Sequence, residues 1–240
     1  MATAKDIVIK PIKAKAANDM VKLLHYSGKV VQNSQLHLGV FLNGKLEGVM
    51  QFGPSLDKRK IQGLVKGSGW HEFLELNRMA FSDRLPRNSE SRAIAVAMKL
   101  LKKHAPQVKW VISFADATQC GDGAIYRASG FVLTGIKENK SIFEMPDGER
   151  IAAPSVTGIG VNAASAWKRK IDKKYNVNTS AETSASVKSF FGMGAKWLQG
   201  FQLRYIYFID PTYRARLTVP ELPYSAIEEA GARMYKGEKL

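Results

Sequence analysis

A mixed α/β fold with a mostly antiparallel central sheet is what the sequence predicts, on three observations. Asn43-Gly44 joins two apolar, strand-like runs at 36–42 and 46–52, the strongest short-range signature of a β-hairpin. Residues 108–115 are nearly continuously apolar, as expected of a central strand covered on both faces. Between these lies a segment opening at Asn88 or Ser89, with Glu90 in its first turn and an apolar stripe through Ala93, Ala97, Leu100 and Leu101. It closes on Lys102, Lys103 and His104 before Pro106, the grammar of a helix.

The other elements follow in order. Met20, Val21 and Leu24 share a face of a first helix over 18–26, and Gly28 supplies its left-handed stop, so that His25, Tyr26 and Ser27 stand at a helix end. After the hairpin, Gly63, Gly67 and Gly69 mark a loop, and 73–81 reads as a strand on which Arg78 shares a face with Leu74 and Leu76. Asp116 sits at the carboxyl end of the central strand, the edge where open α/β sheets bind ligands. A loop at 118–123 leads to a short helix over 124–129, stopped by Gly130, then to strands at 131–134 and 142–145 and an Asp147-Gly148 turn. Beyond Pro154 the character changes to a basic helix near 167–175, a Ser/Thr/Asn-rich spacer over 176–186 and an aromatic segment through Phe190, Phe191 and Trp197. The expected organisation is therefore a core over 1–153, a basic helical insertion over 154–203, and a last strand with a Pro-rich tail over 204–240.

Charge points to the partner. The chain carries 36 Lys and Arg against 21 Asp and Glu, a net +15, which steers polyanions and gives salt-sensitive affinity for phosphates. The lone Cys120 excludes an internal disulfide, and Met1 to Asp6 lacks the apolar run of a signal peptide, so a reducing, intracellular compartment is expected. No apolar run approaches the roughly 20 residues of a membrane span.

At finer grain the order of elements resembles the GNAT acyltransferase fold, and residues 124–131, Ala-Ile-Tyr-Arg-Ala-Ser-Gly-Phe, match that family's A-x-x-Y-x-x-x-G-F pattern. His25-Tyr26-Ser27-Gly28-Lys29, residues 74–79 and Ser113-Phe114-Ala115-Asp116, together with Tyr126, are similar to the Mom proteins of Mu-like bacteriophages. The GNAT resemblance implies a V-shaped parting of the fourth and fifth strands that receives acyl-CoA. The Mom resemblance implies an enzyme that converts adenine in double-stranded DNA to an N6-adduct of methylcarbamoyl or acetamido type, protecting phage DNA from host restriction enzymes in the bacterial cytoplasm. Carried over, the functional set is His25, Tyr26, Arg78, Ser91, Asp116 and Tyr126. A carboxylate such as Asp116 can accept the proton of an attacking amine, Tyr126 and Tyr26 can donate or relay one, and Arg78 can hold an anion in its planar fork. The resemblance also implies iron, for which His25 is the natural ligand and Asp116 a second.

One segment departs from the GNAT pattern. Where a glycine-rich turn normally cradles the CoA pyrophosphate, residues 84–92 contain no glycine, and Pro86 removes a donor. Phosphate would then be held by Arg84, Arg87, Ser89 and Ser91, leaving the donor either acyl-CoA-like or another small molecule. Reaching a paired adenine requires opening the pair or flipping the base. For this, Lys168, Arg169, Lys170, Lys173 and Lys174 offer phosphate contacts, and Trp167, Tyr175, Phe190 or Trp197 offer stacking groups. Two rival readings stay open: an ordinary acyl-CoA-dependent N-acyltransferase of a protein or small amine, and a non-catalytic basic DNA-binding module. The oligomeric state is open between monomer and homodimer.

Overall fold

The computed structural model describes residues 2–117, 121–139, 141–153, 156, 166–178 and 186–232. Cys120 with its loop at 118–120, the boundary at 154–155, residues 179–185 of the polar spacer and the side chain of Trp167 lie outside what is described. The chain forms two compact units, one of Met1–Ile136 with Leu203–Leu240 and one of Lys137–Gln202.

The first unit is a seven-stranded sheet with helices. In chain order it holds β1 (Val8–Pro11), α1 (Ala14–Leu24), β2 (Leu36–Leu42), β3 (Lys45–Gly53), α2 (Lys58–Gln62) and β4 (Phe73–Phe81). There follow α3 (Ser89–His104), β5 (Trp110–Asp116), α4 (Ala124–Ala128) and β6 (Val132–Glu138). The strand order is β1-β2-β3-β4-β5-β10-β6, where β10 (Phe201–Phe208) re-enters after the second unit. The pairs from β1 to β4 are antiparallel and β4 with β5 is parallel.

Each element follows from local chemistry. Asn43 and Gly44 take φ of 50° and 77°, the double positive that a two-residue hairpin needs to match strand twist. α1 starts four residues before the expected Asn18, because Ala14, Ala16 and Ala17 extend it at little conformational cost. It also ends at Leu24 rather than Tyr26: the His25 N–H closes on Val21 O at 3.0 Å and the backbone then becomes extended. Its buried Ala17 and Val21 pack on Val49 and Ala80. Within the expected glycine-rich loop the structure holds one helical turn, α2, whose first turn is capped by Asp57 and whose Ile61 is buried.

Two departures from regularity shape the site. Gln51 pairs with Arg78 while its neighbour Phe52 pairs with Leu76, so Asn77 is an extra residue in β4. Cross-strand partners share a face and strand neighbours do not, so this bulge puts Arg78 on the opposite face from Leu76. That corrects the expectation of a shared face and sets Arg78 with Ala80 beneath α1. The second departure is the β4–β5 ladder, which ends after Phe73↔Trp110, Leu74↔Val111 and Glu75↔Ile112. Beyond these pairs the strands part, and the buried Ser113 hydroxyl donates to Leu76 O at 3.2 Å, taking up a carbonyl the ladder leaves.

The second unit holds β7 (Ile142–Glu144), β8 (Arg150–Ala152), α5 (Ala166–Tyr175), α6 (Ser186–Gly192) and β9 (Lys196–Trp197), its strands ordered β8-β7-β9. Its own core gathers Phe143, Met145, Ile151, Val156, Ile171, Phe190 and Ala195. The unit therefore begins at Lys137 rather than at Pro154, since β7 pairs with β8 on one side and with β9 on the other. In the tail, α7 (Ser225–Glu229) follows Tyr224, whose hydroxyl donates to Phe131 O at 2.8 Å.

The bulge needs a bare backbone beside it. A Cβ on Gly53 would stand 2.5 Å from Asn33 O and 2.8 Å from Asn77 Oδ1. Gly53→Ala should therefore destabilise the protein by roughly 1–3 kcal/mol. An unchanged midpoint in urea unfolding would show that the bulge gives way freely.

Candidate active site

The bulge and the parting of the strands put several polar groups on one face of the sheet. Glu75 is the last paired residue of β4 opposite Gly53, and its face is that of Gln51 and hence of Arg78. On β5, Trp110, Ile112 and Phe114 face a core shared with Phe73, Val65, Ile206 and Tyr213, and alternation carries Asp116 to the same side. Asp116 lies half-buried at the end of β5, past the last pair with β4.

Arg78 is the electrostatic centre. Its Nε donates to Lys29 O at 3.0 Å and its Nη1 to Asn77 O at 2.7 Å. Burial pulls its guanidinium below the usual value, while Tyr26, Glu75 and Tyr126 lie close enough for their charge to favour the cation. The carboxylate acting on Arg78 is Glu75. Burial raises the Glu75 carboxyl, against hydrogen bonds from Ser55 and Asn77 and the charge of Arg78. Asn77 in turn accepts from Ser34 Oγ at 3.2 Å, tying the bulge to the segment before β2.

His25 and Tyr26 reach this cluster from the end of α1, their rings 4.3 Å apart. The His25 Nδ1 accepts the Ser27 backbone N–H at 3.2 Å and lies 2.9 Å from Ser27 Oγ. Burial, then the charge of Arg78, lowers the His25 pKa to about 4, so the ring is neutral near pH 7. With Nδ1 accepting, the proton is on Nε2. Lys29, pushed down by burial and by Arg78, completes this edge.

Tyr126 arrives from the other side on α4. The helix start is fixed by Gly123 at φ 72°, where a side chain would strike the rings of Tyr205 and Tyr126, and by Asp122 Oδ1, which accepts the Ala124 N–H at 3.0 Å. Arg127 pairs with the buried Asp122 at 2.7 Å, and Tyr205, which packs on Tyr126, donates its hydroxyl to Asp122 O.

The structure thus brings His25, Tyr26, Arg78 and Tyr126 together. It places Ser91 elsewhere, in the first turn of α3, its hydroxyl donating to Asn88 O at 3.1 Å. There Asn88 takes φ 68°, the left-handed conformation for which the GNAT pattern would use glycine. The Ser89 hydroxyl beside it is buried without a hydrogen-bond partner among the described residues. Arg87 is exposed, and Arg84 is 3.5 Å from the buried Glu47.

Two sets of expectations need revision. With Nδ1 engaged by Ser27, His25 has only its Nε2 edge to offer a metal, and binding there would require Nε2 to give up its proton. Among the described residues no three His, Cys, Asp or Glu side chains form a metal-sized group. Of the five cations expected to meet phosphate, Lys168 is fully buried, one turn before Ile171 of the second unit's core. Lys174 is bridged to Asp147 at 2.9 Å and to Glu149. Arg169, Lys170 and Lys173 are exposed. Sequence reasoning passed over Glu75, whose signal was a carboxylate inside an apolar strand.

Because the folded His25 titrates near 4 and an unfolded one near 6.5, the unfolded chain binds the extra proton between these values. This contribution to stability is complete above about pH 6.5 and is lost as pH falls toward 4. His25→Gln should flatten that decline, measured as urea midpoints at pH 7 and 5; an equal decline in both proteins would place the acid sensitivity elsewhere.

The chain is 42% identical over 147 residues to the methylcarbamoylase Mom of Escherichia phage Mu, a match taking in 61% of this chain and 60% of that protein's length. Among solved structures it is similar to a spermidine/spermine N-acetyltransferase from Vibrio cholerae (8% identity, 89% of this chain and 99% of that one, TM-score 0.44). It is also similar to a GNAT acetyltransferase from Elizabethkingia anophelis (16% identity, 56% and 81%, TM-score 0.39). The sequence pattern of the Mom protein family matches residues 6–226, and the chain belongs to that family.

Proposed function

We propose that this chain is a phage DNA-modifying transferase that places a methylcarbamoyl-type group on N6 of adenine in double-stranded DNA, inside an infected bacterium. The observation that carries the reading is the gathering of His25, Tyr26 and Tyr126 around the half-buried Arg78 where β4 and β5 part. The identity to the phage Mu methylcarbamoylase supports the choice of group. The net charge of +15 supports a polyanionic substrate.

In this reading N6 attacks the carbonyl carbon of a methylcarbamoyl donor. A C–N bond forms, the bond to the donor's leaving group breaks, and N6 loses one proton while the leaving group gains one. Asp116 accepts the N6 proton, and Glu75, opposite Ile112 four residues earlier on β5, is a second carboxylate on the same face whose pKa burial raises. Tyr126 delivers the proton to the leaving group. Arg78 and the neutral Nε2–H of His25 steady the oxygen on which charge develops, and their backbone anchors keep them in place as it does so. An anionic donor tail would lie at the start of α3, beside the buried Ser89 hydroxyl and the Glu90 and Ser91 N–H groups, with Arg87 near them. No step here passes through a metal.

Two outcomes test this. Asp116→Ala should lower the fraction of modified adenines, read by mass spectrometry of nucleosides from expressing cells, by at least about 100-fold, within the range for loss of a general base. DNA affinity should hold; retained modification would remove Asp116 from the chemistry. Neutralising Arg169, Lys170 and Lys173 together should weaken DNA binding and reduce its salt slope by about 2–3, whereas Lys168→Gln should act on stability instead. An unchanged slope would mean that this helix does not meet phosphate.

A further inference from the structure

Resting on that reading, we propose that Leu56 is the wedge that enters the base stack when the target adenine is extruded. Residues 54–57 join β3 to α2, and both sides of the turn are anchored. The Pro54 carbonyl accepts from Asn33 Nδ2 at 2.8 Å, and the buried Ser55 side chain lies close enough to the Glu75 carboxyl to act on its pKa. On the far side, Asp57 Oδ1 accepts the Lys60 N–H at the start of α2. Between these anchors Leu56 is 96% exposed, the most exposed large apolar side chain among the described residues.

A solitary leucine on a surface is ordinary. This one stands a single residue from Ser55, which acts on Glu75, on a turn hydrogen-bonded on both sides, and cations follow it in the chain. Lys58, Arg59 and Lys60 follow it on α2. Lys66 and Arg216 lie at the next bend, joined by Arg216 Nε to Lys66 O at 2.7 Å and by Lys66 N to Arg216 O at 2.8 Å. A lipid surface would call for a broad apolar face rather than one tip. Duplex DNA matches both features: phosphates meet the cations, and the gap left by a base swung toward Arg78 takes an apolar side chain of leucine's size. The wedge holds the base outside the helix, so its removal matters only where extrusion is difficult.

The test uses the full chain and a duplex copied from a site that expressing cells modify, with 2-aminopurine at the target position. Wild-type protein should raise its fluorescence several-fold. Leu56→Ala should lose that rise when the base is paired, regain it when the base faces an abasic site, and fold normally because the side chain is solvated. Leu56→Phe should restore the rise on the paired duplex, and DNA from cells expressing Leu56→Ala should carry roughly tenfold fewer modified adenines. The wedge is overturned if Leu56→Ala matches wild type on the paired duplex, or if it is equally impaired on both duplexes. Absence of modified adenine with the wild-type chain overturns the DNA-modification reading itself, and the wedge with it.

Discussion

The arrangement depends on one extra residue. Without Asn77 in the β4 ladder, strand alternation would turn Arg78 away from α1 and away from Lys29, His25 and Tyr26. The bulge is held from two sides, by the bare backbone of Gly53 and by the hydroxyl of Ser34 on the Asn77 amide. A bulge of this kind re-aims a side chain without breaking the sheet. Here it also sets Glu75 and Arg78 on the same side, though an unbroken strand would separate residues three apart.

The parting of β4 from β5 adds space, and burial adds selectivity. A guanidinium withdrawn from water must be compensated, and two backbone carbonyls supply most of that compensation for Arg78. Its field then acts on its neighbours. With burial, it lowers the pKa of His25 and Lys29, which leaves a neutral imidazole beside a fixed cation. Such a pocket favours a substrate in which negative charge grows on an oxygen, in keeping with acyl-type transfer.

Much of the fold was legible from residue patterns. Asn43-Gly44 announced the hairpin, the run at 108–115 announced the central strand, and the stripe from Ala93 to Leu101 announced α3, because each depends on local geometry or short-range periodicity. His25, Tyr26, Arg78 and Tyr126 were legible by resemblance, and the structure gathers them. What the sequence hid were tertiary effects. The bulge at Asn77 is a register slip relative to β3, so no pattern within β4 reveals it. The burial of Lys168 depends on which face of α5 meets Phe143 and Phe190, and its basic neighbours masked that face. The engagement of His25 Nδ1 by Ser27 follows from a turn that only the folded backbone closes.

The way the 137–202 unit joins the sheet has a consequence of its own. The chain leaves through β6 and returns through β10, and these two strands are neighbours in the sheet. The stems meet again where the Asn139 N–H donates to Gly200 O at 2.7 Å. A segment whose ends are clasped in this way can lengthen, shrink or exchange its contents during descent while the pleats that carry the catalytic groups keep their alignment.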